Sequence, residues 1–226
     1  VKIALSVCED LWNIDDDPLY VSCPMDMLIK EQPQLMINIA ASPFHYTHAE
    51  ERKVIMQENV KKYGLPLVYV NHVGAQTELI FDGGSMALSK SGACAAELNY
   101  FEEDIQIVEF DKASKDLLSS KPAVILHSKM ERNTPATDDV SIDFIYKALV
   151  TGIRDYFGKQ NFKKAILGLS GGIDSALVTV LAVDALGKEN VHVVMMPSQY
   201  SVTQRMLCPS RPRSGWLISP SKTTGR

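Results

Sequence analysis

Leu167-Gly168-Leu169-Ser170-Gly171-Gly172-Ile173-Asp174-Ser175 is the stretch of this 226-residue sequence from which the architecture is read. The apolar run 165–169 leads into it and reads as a strand. Residues 175–186 read as a helix stopped by Gly187, and residues 191–196 as a second buried strand. Strand, loop, helix and strand make one βαβ unit. Ser-Gly-Gly at the strand-to-helix junction lets backbone approach an anion closely, because two of the residues carry no Cβ. The helix start offers free N–H groups and the positive end of its dipole, which suits phosphate. Ser170 and Ser175 add hydroxyl donors, and Asp174 offers a carboxylate for a metal ion. A bare Ser-Gly-Gly is equally a plain turn with a helix cap. The whole SGGxDS string, placed between strand and helix, points to a nucleotide phosphate. It lacks the GK[ST] ending of a Walker loop, which disfavours a typical P-loop phosphotransferase.

Working back from this unit, Ile142, Ile145, Leu149, Ile153 and Tyr156 recur at spacings of three and four and predict an amphipathic helix ending near Gly158. Residues 111–139 are rich in Lys, Ser, Asp, Thr and Pro and read as a loss of pattern, with 113–139 as a linker. The first half alternates short apolar runs with one good helix. Residues 2–7, 35–40, 67–73, 86–89 and 105–110 read as strands. Thr47-His48-Ala49-Glu50 carries the spacing of a capping box and opens a helix running to about Tyr63, where Gly64 and Pro66 stop it. Glycine turns at 81–84 and 90–92 between successive strands predict partly antiparallel pairing.

Composition narrows the function classes. The 23 Lys and Arg against 27 Asp and Glu leave a net charge of −4, with no basic footprint for nucleic acid. No apolar run approaches the ~18 residues of a membrane span. The opening residues 1–7 are too short for a signal-peptide core and no small-residue cleavage site follows them; Val1 in place of Met fits an internal piece of a longer protein. Cys8, Cys23, Cys94 and Cys208 show no paired metal-ligand spacing and read as free thiols of a reducing compartment, which implies the cytoplasm.

Cys8 is the second candidate for chemistry. It ends the first strand in Cys8-Glu9-Asp10-Leu11-Trp12. A thiol at a strand end can be exposed and activated, but adjacent acids raise a thiol pKa, so local sequence by itself favours a buried structural cysteine. His72 and His192, on predicted strands, read as core or loop residues, Met195 and Met196 as strand packing, and Glu50-Glu51-Arg52-Lys53 as a solvated helix face.

Five segments carry a family resemblance. Ser170-Gly171-Gly172-Ile173-Asp174-Ser175 resembles the pyrophosphate-binding loop of ATP pyrophosphatases, and Val193-Val194-Met195-Met196-Pro197-Ser198-Gln199-Tyr200-Ser201 is similar to a segment of NAD synthetases among them. Val7-Cys8-Glu9-Asp10-Leu11-Trp12 is similar to the nucleophile segment of nitrilase-type amidases, Ile37-Asn38-Ile39-Ala40-Ala41-Ser42-Pro43-Phe44 to the segment after it, and the stretch from Asn71 to Ser85 to that superfamily's closing strands. Their order resembles the arrangement of the glutamine-dependent NAD synthetase family over about residues 1–201. The fold this implies is α/β: a partial nitrilase-like α/β sandwich over 1–112, the linker, then over 140–201 the first βαβ of a Rossmann-like adenine nucleotide alpha hydrolase, the ATP-pyrophosphatase domain.

The same resemblance implies a ligase that amidates deamido-NAD to NAD, using ATP, Mg²⁺ and ammonia released from glutamine. Cys8 is implied as the nucleophile, and Ser42 and His48 as glutamine contacts, with His48 standing where the family usually has Lys or Arg. Gly168, Leu169, Ser170, Gly171, Gly172, Ile173, Asp174 and Ser175 are implied as the ATP site, with Asp174 on the metal. The implied partners are small molecules, deamido-NAD, glutamine and ATP, with no nucleic acid and no membrane, in a homo-oligomer. Another glutamine-dependent ATP-pyrophosphatase ligase, or a non-catalytic fragment, are the alternatives. The amidases' Glu base and oxyanion Lys lie upstream of the nucleophile, so neither is expected in a chain with seven residues before Cys8. The last 25 residues, 202–226, hold five basic residues and no acid and have no period. They read as an aberrant, disordered tail with the signature of a shifted reading frame, so the chain is expected not to complete NAD synthesis alone. A basic tail for an acidic partner is the alternative.

Overall fold

The computed structural model describes residues 1–14, 21–118 and 139–195. Most of the linker, Met196–Ser201 and the basic tail lie outside the described residues, as do the readings made on them. The chain divides into two compact units, Val1–Ala148 and Leu149–Arg226.

In the first unit, the chain runs through β1 (Ile3–Val7), α1 (Pro24–Leu28), β2 (Leu35–Ala40), α2 (His48–Tyr63), β3 (Leu67–Asn71), β4 (Val73–Gln76), β5 (Leu79–Asp82), β6 (Met86–Leu88), β7 (Cys94–Glu97), β8 (Glu109–Asp111) and β9 (Asp116–Leu118). The main sheet has the order β1-β2-β3-β6-β7. β1, β2 and β3 are parallel; β6 and β7 add antiparallel. β4 with β5, and β8 with β9, are separate antiparallel ribbons.

Alternation along the strands sorts the sheet into two faces. Ala4, Met36, Ala40, Leu67, Tyr69, Met86 and Leu88 share one buried cluster with Met25 of α1 and Met56 and Val60 of α2. On the other face, Leu35, Ala87 and Ala95 pack with Leu117 of the β8–β9 ribbon. Toward β1 that face is open among the described residues, and Ile3, Leu5, Val7, Ile39 and Val70 are exposed.

Several sequence readings are corrected here. The strand expected over 105–110 shrinks to β8, and Ile105 and Ile107 are almost fully exposed. Their alternation finds no partner strand among the described residues, so the period alone does not make a ladder. The patternless stretch from 111 contains β9, whose turn is closed by the Asp111 side chain accepting from the Ala113 and Ser114 amides at 3.0 Å each. The helix opened by Thr47 forms over the expected span and ends at Gly64, but its capping box does not. Thr47 is in the helical region and makes no side-chain cap bond; its hydroxyl donates to Glu51 instead.

The second unit contains the end of α3 (Asp139–Lys159), then β10 (Ala165–Leu169), α4 (Ile173–Leu186) and β11 (Val191–Met195). β10 and β11 are parallel, Leu167 facing Val193, so the βαβ unit is present as read. The strands are less buried than the sequence suggests. Only Ala165 of β10 is buried, and Val194 and Met195 are exposed among the described residues. The two-stranded ladder leaves much of its apolar surface uncovered among the described residues. Along α3, Ile142, Ile145, Leu149 and Tyr156 of the expected apolar stripe are exposed, whereas Ala148 and Thr151 are buried. No described helix is long and apolar enough to cross a membrane.

Candidate functional site

Cys8 follows the last residue of β1 and opens a 3-10 turn, Cys8–Leu11. Its φ is +49°, a left-handed conformation that costs a non-glycine residue on the order of 1–3 kcal/mol and persists only when neighbours hold it. Here they do. The Asp10 carboxylate accepts from the Val7 amide at 2.8 Å. Buried Asn38 of β2 donates to the Cys8 carbonyl at 3.3 Å and to Ser6 Oγ at 2.9 Å. Asn59 of α2 donates to the Leu11 carbonyl at 2.8 Å. The turn is thus tied to the strand beside it and to the helix across it, while the thiol is exposed. The acid at Asp10, which the sequence sets against reactivity, is turned to the backbone.

β1 and β2 are parallel neighbours with Val7 opposite Ile39, so Cys8 and Ser42 leave the sheet at the same end. The Ser42 amide donates to Asn71 Oδ1 at 3.0 Å. His48 begins α2; its ring stands edge-on to Trp12 at 6.2 Å, and its Nε2 is 3.7 Å from Glu51. The three residues singled out by sequence therefore gather around one end of the sheet, from the exits of β1 and β2 and the start of α2.

Behind them lies a buried polar group that sequence reasoning missed. Arg52, read as part of a solvated helix face, is fully buried and donates through Nη2 to fully buried Asp82. The face was misassigned because Ala49, Arg52, Met56, Asn59 and Val60 form the buried row of α2. That three- and four-residue spacing is in the sequence, but a single arginine within it reads as polar. Tyr69 sits against this pair. Burial pushes its phenol up to about 12, with Arg52 and Ser42 pulling it down and Asp82 and Cys8 pushing it further up. Cys8, Ser42, Arg52 and Asp82 thus share one electrostatic neighbourhood. Asn71 joins them, its Nδ2 donating to Asp82 Oδ1 at 3.3 Å and to the Gly83 carbonyl at 2.9 Å.

The second site is contiguous in sequence. The backbone leaves β10 through Ser170, passes Gly171 at φ +87° and enters α4 after Gly172. A left-handed Gly171 turns the loop back over the helix start. Ser170 Oγ and Ser175 Oγ lie 3.1 Å apart, Ser175 Oγ donates to the Gly172 carbonyl at 3.0 Å, and the Ser170 amide donates to Ser175 Oγ at 3.3 Å. The hydroxyls close the loop on itself. Among the described residues, a Cβ on Gly171 would meet nothing within 4 Å. The N–H groups of the first turn of α4 have no helical partner. Asp174 stands exposed in that turn, an oxygen donor of the kind Mg²⁺ takes alongside substrate phosphates. The described residues hold no group of three or more His, Cys, Asp or Glu that would make a protein-only metal site. His72 and His192 are both exposed on the structure, His72 with its ring 4.7 Å from Phe81.

Residues 145–207 match the family model of NAD synthase. The chain is 40% identical over 204 residues to glutamine-dependent NAD(+) synthetase of Synechocystis, covering 89% of this chain and 34% of the relative. It is 35% identical over 220 residues to the enzyme of that name from Thermotoga maritima, covering 89% and 37%. Among solved structures, glutamine-dependent NAD+ synthetase of Acinetobacter baumannii in complex with ADP superposes with a TM-score of 0.72 at 35% identity, over 89% of this chain and 34% of that one. The Cytophaga hutchinsonii enzyme of that name, 16% identical, superposes at 0.59 over 88% and 34% and shares the fold. The chain spans about a third of the length of the curated relatives it matches.

Proposed function

Taking its kinship with glutamine-dependent NAD(+) synthetases as the premise, we propose that the chain carries two working parts of that reaction, the thiol that opens glutamine and the loop that grips ATP. The observation that carries this reading is the exposed Cys8 held in a left-handed strand-end turn, in the same chain as an open Ser-Gly-Gly loop between β10 and α4. In the first unit, Cys8 Sγ attacks the carboxamide carbon of glutamine, the C–N bond breaks and the nitrogen leaves with the thiol proton as ammonia; water then hydrolyses the glutamyl thioester to glutamate and frees the thiol. Ser42 and His48 bind the glutamine. His48 stands where the family usually has Lys or Arg.

In the second unit, the 168–175 segment binds the ATP phosphates through backbone N–H groups and the helix terminus. Asp174 would hold the Mg²⁺ that accompanies the nucleotide, and that ion would supply charge to offset the departing pyrophosphate. The nicotinate carboxylate of deamido-NAD is adenylated, and ammonia displaces AMP. The substrates are thus small molecules, and the reading carries with it a homo-oligomeric enzyme of the cytoplasm.

A chimera tests it. Residues 1–195 replace the aligned segment of the Synechocystis synthetase, and NAD formation is followed with glutamine or with ammonium as nitrogen source. Both sources are expected to work. Cys8→Ala should remove the glutamine-driven reaction and spare the ammonium-driven one, and Asp174→Asn should weaken both. A Cys8→Ala chimera that still uses glutamine overturns the nucleophile.

A further inference from the structure

Asn71 closes β3 opposite Ala40, the last residue of β2, and is itself 7% exposed. Its carboxamide has no freedom to flip. The Asp82 carboxylate and the Gly83 carbonyl only accept, and both face Nδ2, at 3.3 and 2.9 Å. The oxygen must therefore point the other way, and there it meets the Ser42 amide at 3.0 Å. Asp82 is fixed in turn by Arg52, and both are fully buried. The Asn71 backbone is held too, its amide donating to Ser85 Oγ at 2.9 Å. The hydrogen bonds run unbroken from Arg52 through Asp82 and Asn71 to the backbone of Ser42. Every member is buried or backbone, where such bonds are strongest and a missing partner costs most.

We propose that Asn71 is a positioning residue for the glutamine pocket. The Arg52–Asp82 charge pair orients its carboxamide, and the carboxamide sets the Ser42 loop beside Cys8. The inference rests on the reading of Ser42 as a glutamine contact. It assigns a role to three residues, Asn71, Asp82 and Arg52, that do not touch glutamine.

The test uses the chain itself, with amide hydrogen exchange at Ser42 and calorimetric titration of L-glutamine and of Mg²⁺-ATP on the same samples. In the unmutated chain the Ser42 amide, which lies outside β2, should exchange as slowly as the amides of that strand; exchange as fast as an exposed loop overturns the proposal without any variant having to fold. Asn71→Ser should speed Ser42 exchange at least about tenfold and weaken glutamine about tenfold, the loss of roughly one hydrogen bond, while Mg²⁺-ATP affinity stays as it was. Unchanged Ser42 exchange in that variant overturns the proposal. So does a parallel loss of glutamine and ATP binding, which marks general unfolding. Ser42→Ala keeps the amide and removes the hydroxyl. If the unmutated chain binds no glutamine, the pocket reading falls, and Ser42 exchange still decides whether Asn71 anchors the loop.

Discussion

Cys8, Ser42, His48, Arg52, Asn71 and Asp82 reach one end of the first unit from five different elements or their exits, whereas Ser170, Gly172, Asp174 and Ser175 follow one another through a single loop of the second. The first arrangement depends on a packed interior: a fully buried ion pair, two buried asparagines tying the Cys8 turn, and a strand register that brings β1 and β2 out side by side. The second depends on local backbone, a left-handed Gly171 and two serines bonded to each other. The difference teaches where each site is vulnerable. Stability and site are one problem in the first unit and nearly separate problems in the second.

The sharpest way to break the contrast is at the buried charge pair. Asp82→Ala leaves Arg52 uncompensated in the interior and is expected to cost ~3–5 kcal/mol in urea unfolding. Asp174→Asn, on an exposed helix turn, should stay within about 0.5 kcal/mol. Equal losses would erase the distinction between the units.

Glycines give the next largest effect. A Cβ on Gly84, at φ +63°, would sit 2.2 Å from the Tyr100 ring, so Gly84→Ala is expected to cost about 2–3 kcal/mol. On Gly172 the same Cβ meets, among the described residues, only Ser170 Oγ, at 3.6 Å, in an ordinary extended conformation. Gly172→Ala should therefore leave the unfolding midpoint nearly unchanged and weaken Mg²⁺-ATP about tenfold, ~1.4 kcal/mol, because the methyl stands where phosphate approaches. Calorimetry and urea denaturation on the two variants separate a structural glycine from a ligand-facing one.

What was legible in the sequence follows the same division. The order of strand, SGGxDS segment, helix and strand in the second unit is legible because local spacing encodes it, whereas the burial expected of the two strands is not met. In the first unit, β2, the span of α2 and its stop at Gly64 were also local. Arg52 and Asp82 were not: they are 30 residues apart, and each looks like a surface charge until α2 is laid on the sheet. Asn71 stands out in the sequence only within the resemblance, since nothing in its neighbours says that its oxygen faces Ser42. The Thr47 capping box shows the converse, a local motif that is present and unused because the hydroxyl prefers Glu51.

The smallest expected effect is one of pH. The Asp111 carboxyl is held below the ordinary carboxylate range by the Ser114 hydroxyl and by the Ala113 and Ser114 amides. A folded-state value below the unfolded one means its contribution is complete above pH ~4 and is lost as pH falls through the lower, folded value. Amide shifts of Ala113 and Ser114 should move over that acid range. The Ser170 amide, held by a hydroxyl that does not titrate there, should not follow. Movement of both amides together would point to general acid unfolding instead of a local turn.

The central claim, that the strand-end thiol of the first unit belongs to a glutamine pocket, is tested most directly by alkylation of the chain with iodoacetamide, read cysteine by cysteine by mass spectrometry. Cys8, exposed in its left-handed turn, is expected to react faster than half-buried Cys94 and much faster than buried Cys23, and saturating L-glutamine should protect Cys8 while Mg²⁺-ATP does not. Cys8 alkylation that is indifferent to L-glutamine would contradict the account.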